Sequence, residues 1–324
     1  MISIATHDQP TITVVALCYN HSRYVIDCLE SIRTQTFQDF ELIITDDCSS
    51  DGSPLIIESW ASANGVKYSF IKHSENRGLC RTLNEALAIA KGRYLAMVAT
   101  DDVWLPEKLE RQFNELELLP PSVGVLYSDA FQIDENGELL EGMFIASHRK
   151  IDFYPQGNVF DSIATANFIP AMSTMVRMEC FQKIGNYDES LIFEDWDMWL
   201  RISSKFDFCF SDYVSAKYRI LQTSMMRTVL AGSNPAKQDT FFRIRAKCLE
   251  SGVLPLHLAE NFKALIWDTA YELYVTGYKG SAERLIRVYR ITGNRRALLL
   301  GFFSFFGITH HLTKRIRKAL DFKA

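Results

Sequence analysis

The sequence predicts an α/β protein built on a mostly parallel β-sheet flanked by helices, with a helical region at its C-terminal end. Three observations carry this. Short apolar runs alternate with segments of helical period over roughly the first 135 residues, the pattern of parallel strands joined by crossover helices. Turn and capping residues cluster after the apolar runs. Beyond Met226 no strand signal remains and the periodicity is helical.

The elements follow in order. T-I-T-V-V-A-L is an apolar, β-branched strand, and S-R-Y-V-I-D-C-L-E-S-I-R-T-Q places Tyr24, Val25, Cys28, Leu29 and Ile32 at helical spacing. F-E-L-I-I-T is the second strand and runs into the turn cluster D-D-C-S-S-D-G-S. P-L-I-I-E-S-W-A reads as a helix with Pro54 in its first turn. V-K-Y-S-F-I-K-H is the third strand, and R-T-L-N-E-A-L-A-I-A-K-G a helix with Gly92 as its C-cap. Tyr94 to Ala99 is apolar without polar alternation, as expected of a strand buried on both faces. A helix from Pro106 to about Leu119 comes next, then V-G-V-L-Y-S-D-A-F-Q-I-D as one further strand and D-E-N-G as a turn. From Gly157 to Ser224 the pattern is mixed and includes E-D-W-D-M-W-L-R-I-S-S-K-F, an amphipathic helix opened by acids.

Charge divides the chain more sharply than composition does. Residues 1–225 carry a balance of −14 and residues 226–324 a balance of +10, so two structural units are expected, 1–225 and 226–324. The seven cysteines are scattered with no C-x-x-C pair, which argues against a disulfide framework or a zinc site. The first residues lack the basic start and apolar core of a secretory signal, and no run reaches the roughly 18–20 apolar residues of a spanning helix. These features predict a cytoplasmic protein.

Two acid pairs stand at strand ends: Asp46–Asp47 and Asp101–Asp102. Open parallel sheets bind ligands outside the carboxyl ends of their strands, so both pairs should open onto one edge. Adjacent strand residues point to opposite sides, so one acid of each pair should face the cleft and its neighbour orient the loop. Carboxylates there suit a ligand with N–H and hydroxyl donors and a hard divalent cation bound through oxygens. The turn L-C-Y-N-H-S-R-Y after the first strand contains no glycine, and no G-x-x-x-x-G-K-[ST] occurs. That argues against a nicotinamide dehydrogenase and a P-loop enzyme.

With T-V-V-A-L-C-Y-N-H-S-R-Y, I-I-T-D-D-C-S-S-D-G-S, E-N-R-G, A-T-D-D-V-W-L-P and F-E-D-W-D-M-W-L-R-I in this order, residues 10–225 resemble the family 2 glycosyltransferases. The resemblance implies a GT-A-type, Rossmann-like fold, with about 10–135 binding the nucleotide sugar and about 136–225 the acceptor. It further implies an inverting transfer from a nucleotide-sugar donor, with a UDP-sugar favoured, to a hydroxyl of a glycan or lipid-linked acceptor in cell-surface polysaccharide synthesis. Carried over by position, Tyr19 and Asn20 would border the nucleotide and Asp47 would accept the base N3–H. Arg77 would contact diphosphate or base. Asp102, supported by Asp101, would hold a divalent metal, Mn²⁺ or Mg²⁺, and Asp195 would be the general base. The chain departs from the family at Leu17–Cys18, where Pro-Thr is common, at Ala99 and at Leu221, where histidine is frequent. Water and phosphate oxygens are then expected to complete the metal shell.

Two other classes stay open on the sequence: a non-catalytic nucleotide-sugar-binding or scaffold protein that keeps the fold, and a nucleotidyltransferase. The latter would want a Gly- and Lys/Arg-rich triphosphate loop near the first strand, which the sequence lacks. In the last thirty or so residues, Arg295–Arg296 precede A-L-L-L-G-F-F-S-F-F-G-I, and Lys314, Arg315, Arg317 and Lys318 follow it. The segment is similar to an interfacial amphipathic element on an anionic leaflet, or equally to a helix packed on the protein with a solvated basic face. Nucleic acid is not an expected partner, because the basic residues accompany an apolar run rather than a binding motif.

Overall fold

A computed structural model describes residues 9–149, 153–224 and 234–308. They fall into two compact units, one within Met1–Glu189 plus Phe193–Gln222, the other within Ser190–Ile192 plus Thr223–Ala324.

The first unit opens with three strand–helix repeats: β1 (Ile12–Cys18) and α1 (Val25–Arg33), β2 (Phe40–Asp46) and α2 (Ser53–Asn64), β3 (Ser69–Lys72) and α3 (Leu79–Ile89). In α1 the residues at helical spacing, Val25, Cys28, Leu29 and Ile32, are the buried face. Pro54 lies in the first turn of α2, and Gly65 ends that helix at φ 61°, a left-handed conformation that suits glycine. Then come β4 (Tyr94–Ala99), β5 (Val103–Trp104), α4 (Lys108–Leu118), β6 (Val123–Tyr127), β7 (Ala130–Ile133), β8 (Leu139–Met143) and α5 (Phe144–Arg149). The unit closes with α6 (Phe160–Thr165), β9 (Met175–Arg177), α7 (Met178–Ile184), α8 (Asp195–Ser203), β10 (Asp207–Phe210) and β11 (Ala216–Arg219).

Seven strands form the main sheet in the order β10-β6-β9-β4-β1-β2-β3, with β9 antiparallel to its neighbours β4 and β6. The mostly parallel sheet read from the sequence is therefore present. Its register aligns the carboxyl ends: Cys18 pairs with Asp46, and Leu17 with Ala99. A second sheet, β5-β11-β7-β8, lies in the same unit.

Two local expectations are corrected. The run expected as one strand from Val123 onward is two, β6 in the main sheet and β7 in the second. The break falls at Ser128–Asp129, where Asp129 Oδ1 accepts the N–H of Ala130 (2.8 Å) and of Ile145 (3.0 Å) and so turns the chain out of the ladder. Gly92 is not a C-cap either. Helix α3 is capped at Ala90, and Gly92 lies against β1, where an added Cβ would stand 2.3 Å from the backbone nitrogen of Thr13. Only glycine allows that approach.

Lys108, at the start of α4, is fully buried. Its Nζ donates to Gln112 Oε1 (2.6 Å) and to the Thr174 carbonyl (3.0 Å) and sits 4.5 Å from the centre of the Trp104 ring. Burial pushes the Lys108 ammonium well below its ordinary pKa.

In the second unit the described residues form helices Pro235–Ser251, Leu256–Val275, Ser281–Thr292 and Arg295–Phe305. Phe242, Ile266, Ala270, Leu285 and Val288 are central to its core. A buried fork joins two helices, Arg284 Nε to Asp239 Oδ1 (2.6 Å) and Nη2 to Oδ2 (2.9 Å). On the last helix Leu298, Leu299, Phe302 and Phe305 are exposed beside Arg295 and Arg296. Among the described residues no helix is long and apolar enough to cross a membrane. Lys314, Arg315, Arg317 and Lys318, expected as a basic cluster, lie outside the described residues.

Candidate active site

The loops after β1 and β2 are laced together. Asn20 and Cys48 adopt left-handed backbone, φ 57° and 66°, a region that asparagine visits more readily than most residues. Asn20 N–H donates to Ser49 Oγ (2.8 Å), and Asn20 Oδ1 accepts the N–H of Ser50 (2.8 Å). Ser22 N–H reaches Asp51 Oδ2 (2.8 Å). These bonds leave the Tyr19 ring on the surface, 48% exposed, at the end of β1. Burial raises the thiol of Cys18, at the end of β1, to about 11, so it stays protonated.

Both acids at the end of β2 are buried. Asp46 Oδ1 accepts Ser49 N–H (2.9 Å), and Oδ2 is enclosed without a hydrogen-bond partner among the described residues. Asp47 Oδ1 accepts the His73 ring (2.8 Å) and the backbone N–H of Arg77 (2.7 Å), and its Oδ2 accepts the N–H of Gly78 (2.9 Å). The other nitrogen of His73 meets Glu85 (2.7 Å), which also binds the Arg77 guanidinium (3.0 Å). Hydrogen bonding from His73, then from Arg77, holds the Glu85 carboxyl below its ordinary range. Arg77 thus lies beside Asp47 through its backbone while its side chain turns to Glu85. His73 was not singled out in the sequence; a histidine closing the β3 run was the available signal.

The second acid pair is divided in its surroundings. Asp101 keeps its side chain 15% exposed, 3.7 Å from His21 Nε2, and His21 Nδ1 is 2.9 Å from Thr100 Oγ1. Asp102 is buried at 3% exposure, and its Oδ1 accepts the backbone N–H of Arg219 (2.8 Å). Burial, then the charge of Asp101, push the Asp102 carboxyl well above its usual range. The Arg219 guanidinium donates from Nε to the Asp101 carbonyl (2.8 Å) and from Nη1 to that of Asp134 (3.2 Å). It also stacks 4.6 Å from the centre of the Tyr24 ring. No group of three histidine, cysteine or acidic side chains that could cage a metal occurs among the described residues. A cation at this edge would be held by one or two carboxylates and otherwise by water and phosphate oxygens. That donor set suits Mg²⁺ and Mn²⁺, which take hard oxygen ligands.

Asp195 begins α8, a helix locked inward by Trp196, Met198, Trp199 and Ile202. Its Oδ2 accepts a hydrogen bond from Asn167 Nδ2 (2.6 Å), and its Oδ1 accepts Trp196 N–H (2.6 Å). Burial, then the charge of Asp195, raise the neighbouring Glu194 carboxyl well above the ordinary glutamate range. Tyr187, between α7 and α8 in the chain, is buried. Its hydroxyl is 3.9 Å from Met97 Sδ on β4, and its backbone N–H donates to Asn84 Oδ1 on α3 (2.9 Å). The edge beyond β1, β2 and β4 therefore brings together Tyr19, Asn20, Asp47, Arg77, Asp101 and Asp102. Asp195, at the start of α8, is hydrogen-bonded to Asn167.

The profile of Glycosyl transferase family 2 matches residues 13–185. An uncharacterized glycosyltransferase of Methanocaldococcus jannaschii is 33% identical over 221 residues, 66% of this chain and 72% of the relative. Among solved structures, a mannosyltransferase from Pyrobaculum calidifontis in complex with GDP-Man and Mn²⁺ superposes with a TM-score of 0.59. It shares 18% identity, with 94% of this chain and 83% of that one covered. The 1–349 segment of S. aureus TarS in complex with UDP-GlcNAc also gives a TM-score of 0.59. Its identity is 16%, with 92% and 88% covered. At these identities the structural likeness is one of fold.

Proposed function

The chain belongs to glycosyl transferase family 2, and on that premise we propose that it moves a sugar, with inversion, from a UDP-sugar to a hydroxyl of a glycan or lipid-linked acceptor. The observation that supports this reading is the pair of acidic strand ends at one sheet edge, Asp46–Asp47 and Asp101–Asp102, with a further acid, Asp195, opening α8.

Each carboxylate oxygen can accept two hydrogen bonds. Asp47 Oδ2 takes one, from Gly78, which leaves it an acceptor position for the N3–H of uracil. Tyr19 and Asn20 border the base, and Arg77, whose backbone N–H already meets Asp47, is assigned a contact with base or diphosphate. Asp102, with Asp101 beside it, would hold Mn²⁺ or Mg²⁺. The cation, when bound, supplies Lewis-acid stabilisation of a diphosphate leaving group.

Glycoside hydrolysis needs two carboxylates because a poor leaving group must be protonated, whereas a diphosphate leaves without that help. One base then suffices. Asp195 takes the proton of the acceptor hydroxyl as that oxygen attacks the anomeric carbon from the face opposite the diphosphate. Asn167 and the Trp196 N–H hold the carboxylate in position. Peripheral contact with the cytoplasmic face of a membrane belongs to the same reading. It is supported by exposed Leu298, Phe302 and Phe305 next to Arg295 and Arg296.

The test is a thermal-shift series with UDP- and GDP-sugars, with and without Mn²⁺, on the wild type and Asp195→Asn. The expected result is Mn²⁺-dependent stabilisation by a UDP-sugar in both proteins, with transfer lost in Asp195→Asn. Equal transfer by the variant would remove Asp195 from the mechanism.

A further inference from the structure

A cavity of about 310 Å³ lies outside the donor edge, with Phe168, Phe153 and Pro155 against Asp161, Ser162 and Thr165 on and beside α6. Resting on the transfer reading above, we propose that it is an acceptor subsite, holding a sugar ring of a glycan chain next to the unit that receives the new residue.

Position is the first argument. β6 and β10 are parallel to each other, and β9 runs antiparallel between β6 and β4, so Tyr127 and Phe210 end their strands at the same edge as Ala99. The Tyr127 hydroxyl donates to the Pro155 carbonyl (2.5 Å), and its ring meets Phe168 edge-on at 5.6 Å. Cavity wall and floor are thereby fastened to the end of β6. Two strand spacings separate β6 from β4, about 10 Å. The cavity is thus fastened two strands away from β4 along the same sheet edge.

The second argument is continuity with the proposed base. Ala166 and Phe168 line the cavity, and Asn167 between them donates to Asp195 Oδ2. Trp196 Nε1 also donates to the Ile163 carbonyl of α6 (2.7 Å). The helix bearing Asp195 and the cavity wall are one hydrogen-bonded assembly.

Chemistry points to the occupant. A pyranose presents an apolar C–H face and a rim of hydroxyls, and binding pockets pair apolar walls with a few placed polar groups. Phe153 is 59% exposed. Tyr154, between the lining residues Phe153 and Pro155, is 40% exposed with Phe210 stacked on it at 3.8 Å. The Tyr154 hydroxyl is tied to Asp129 Oδ2 (3.2 Å), which holds the ring in place before any ligand arrives. Among the described residues lining the cavity, none is a lysine or arginine and one is an aspartate. A phosphate-bearing ligand is disfavoured there, and an uncharged polyhydroxylated one is suited.

Full-length wild type, Ala166→Trp and Phe153→Ala are to be applied to an oligosaccharide array in the presence of UDP and Mn²⁺, with UDP affinity measured separately. Ala166 is exposed with extended backbone, so tryptophan can fill the cavity without entering the core. The expected result is retention of one or more oligosaccharides by the wild type and at least about a tenfold weaker signal for both variants, at unchanged UDP affinity. An Ala166→Trp profile equal to that of the wild type would overturn the proposal, as would a wild type that binds UDP but no oligosaccharide. A wild type that binds no nucleotide would instead overturn the transfer reading, and the subsite with it.

Discussion

Arg219 donates its backbone N–H to Asp102 Oδ1 at 2.8 Å, while its guanidinium holds the carbonyl of Asp101 from the other side. One residue at the end of β11 thus fixes both members of an acid pair more than a hundred positions away in the chain. Replacement of the buried guanidinium by Met should cost about 1–3 kcal/mol, because several part-buried carbonyls lose a charged donor at once. Lysine keeps a charge without the fork and should recover only part. Urea unfolding gives the stability, and Mn²⁺ titration of UDP affinity should show a raised metal requirement in Arg219→Lys. Wild-type behaviour in both measurements would show that the turn at Asp101–Asp102 holds its shape unaided.

Asn167 orients Asp195 through a 2.6 Å hydrogen bond. A hydrogen bond to a charged group contributes about 1.5–3 kcal/mol, so Asn167→Ala should lower kcat by roughly ten- to a hundredfold. Donor affinity should not move, because the bond is made only to the carboxylate of Asp195. Initial-rate kinetics with donor and acceptor varied separately would check this, and an effect confined to donor KM would contradict it.

Glu194 contributes a pH dependence whose sign is set by its raised folded-state pKa. Above the ordinary glutamate value of 4.5 the unfolded chain has released this proton while the folded chain still holds it. Stability from this group is therefore fullest at lower pH and declines as pH rises through the window between the two values. Asp102, raised likewise, acts with the same sign. Glu194→Gln should flatten part of the decline in thermal midpoint between about pH 5 and pH 9, and a variant profile parallel to the wild type would refute the assignment.

Gly92→Ala should destabilise the first unit by about 1–3 kcal/mol or more. The new methyl would meet backbone atoms, 2.3 Å from Thr13 N and 2.6 Å from Ile12 C, rather than a side chain able to swing aside. Denaturant unfolding would measure the loss, and a neutral result would mean that the β1 entry can shift freely.

What could be read from sequence was local. The repeating strands and helices, the burial of β4 and the acidic strand ends follow from periodicity and turn chemistry within a few residues, and the fold agrees with them. The split of Val123–Ile133 between two sheets was hidden, because both halves are apolar and only the tertiary role of Asp129 separates them. Gly92 was misread for a similar reason, since a glycine after a helix resembles a cap whether or not a neighbouring strand presses on it. His73, Asn167 and Arg219 reach their acids across 26, 28 and 117 positions. No spacing rule covers such distances, so the acids were visible while the groups that hold them were not.

Lys108, shut between Trp104, Gln112 and Thr174, has one more consequence. An amine walled off in this way is out of reach of acylating reagents for as long as these neighbours stay packed around it. Its modification would then time the opening of the protein, a chemical clock already wired into the chain, which runs at the rate at which the interior exposes itself to solvent.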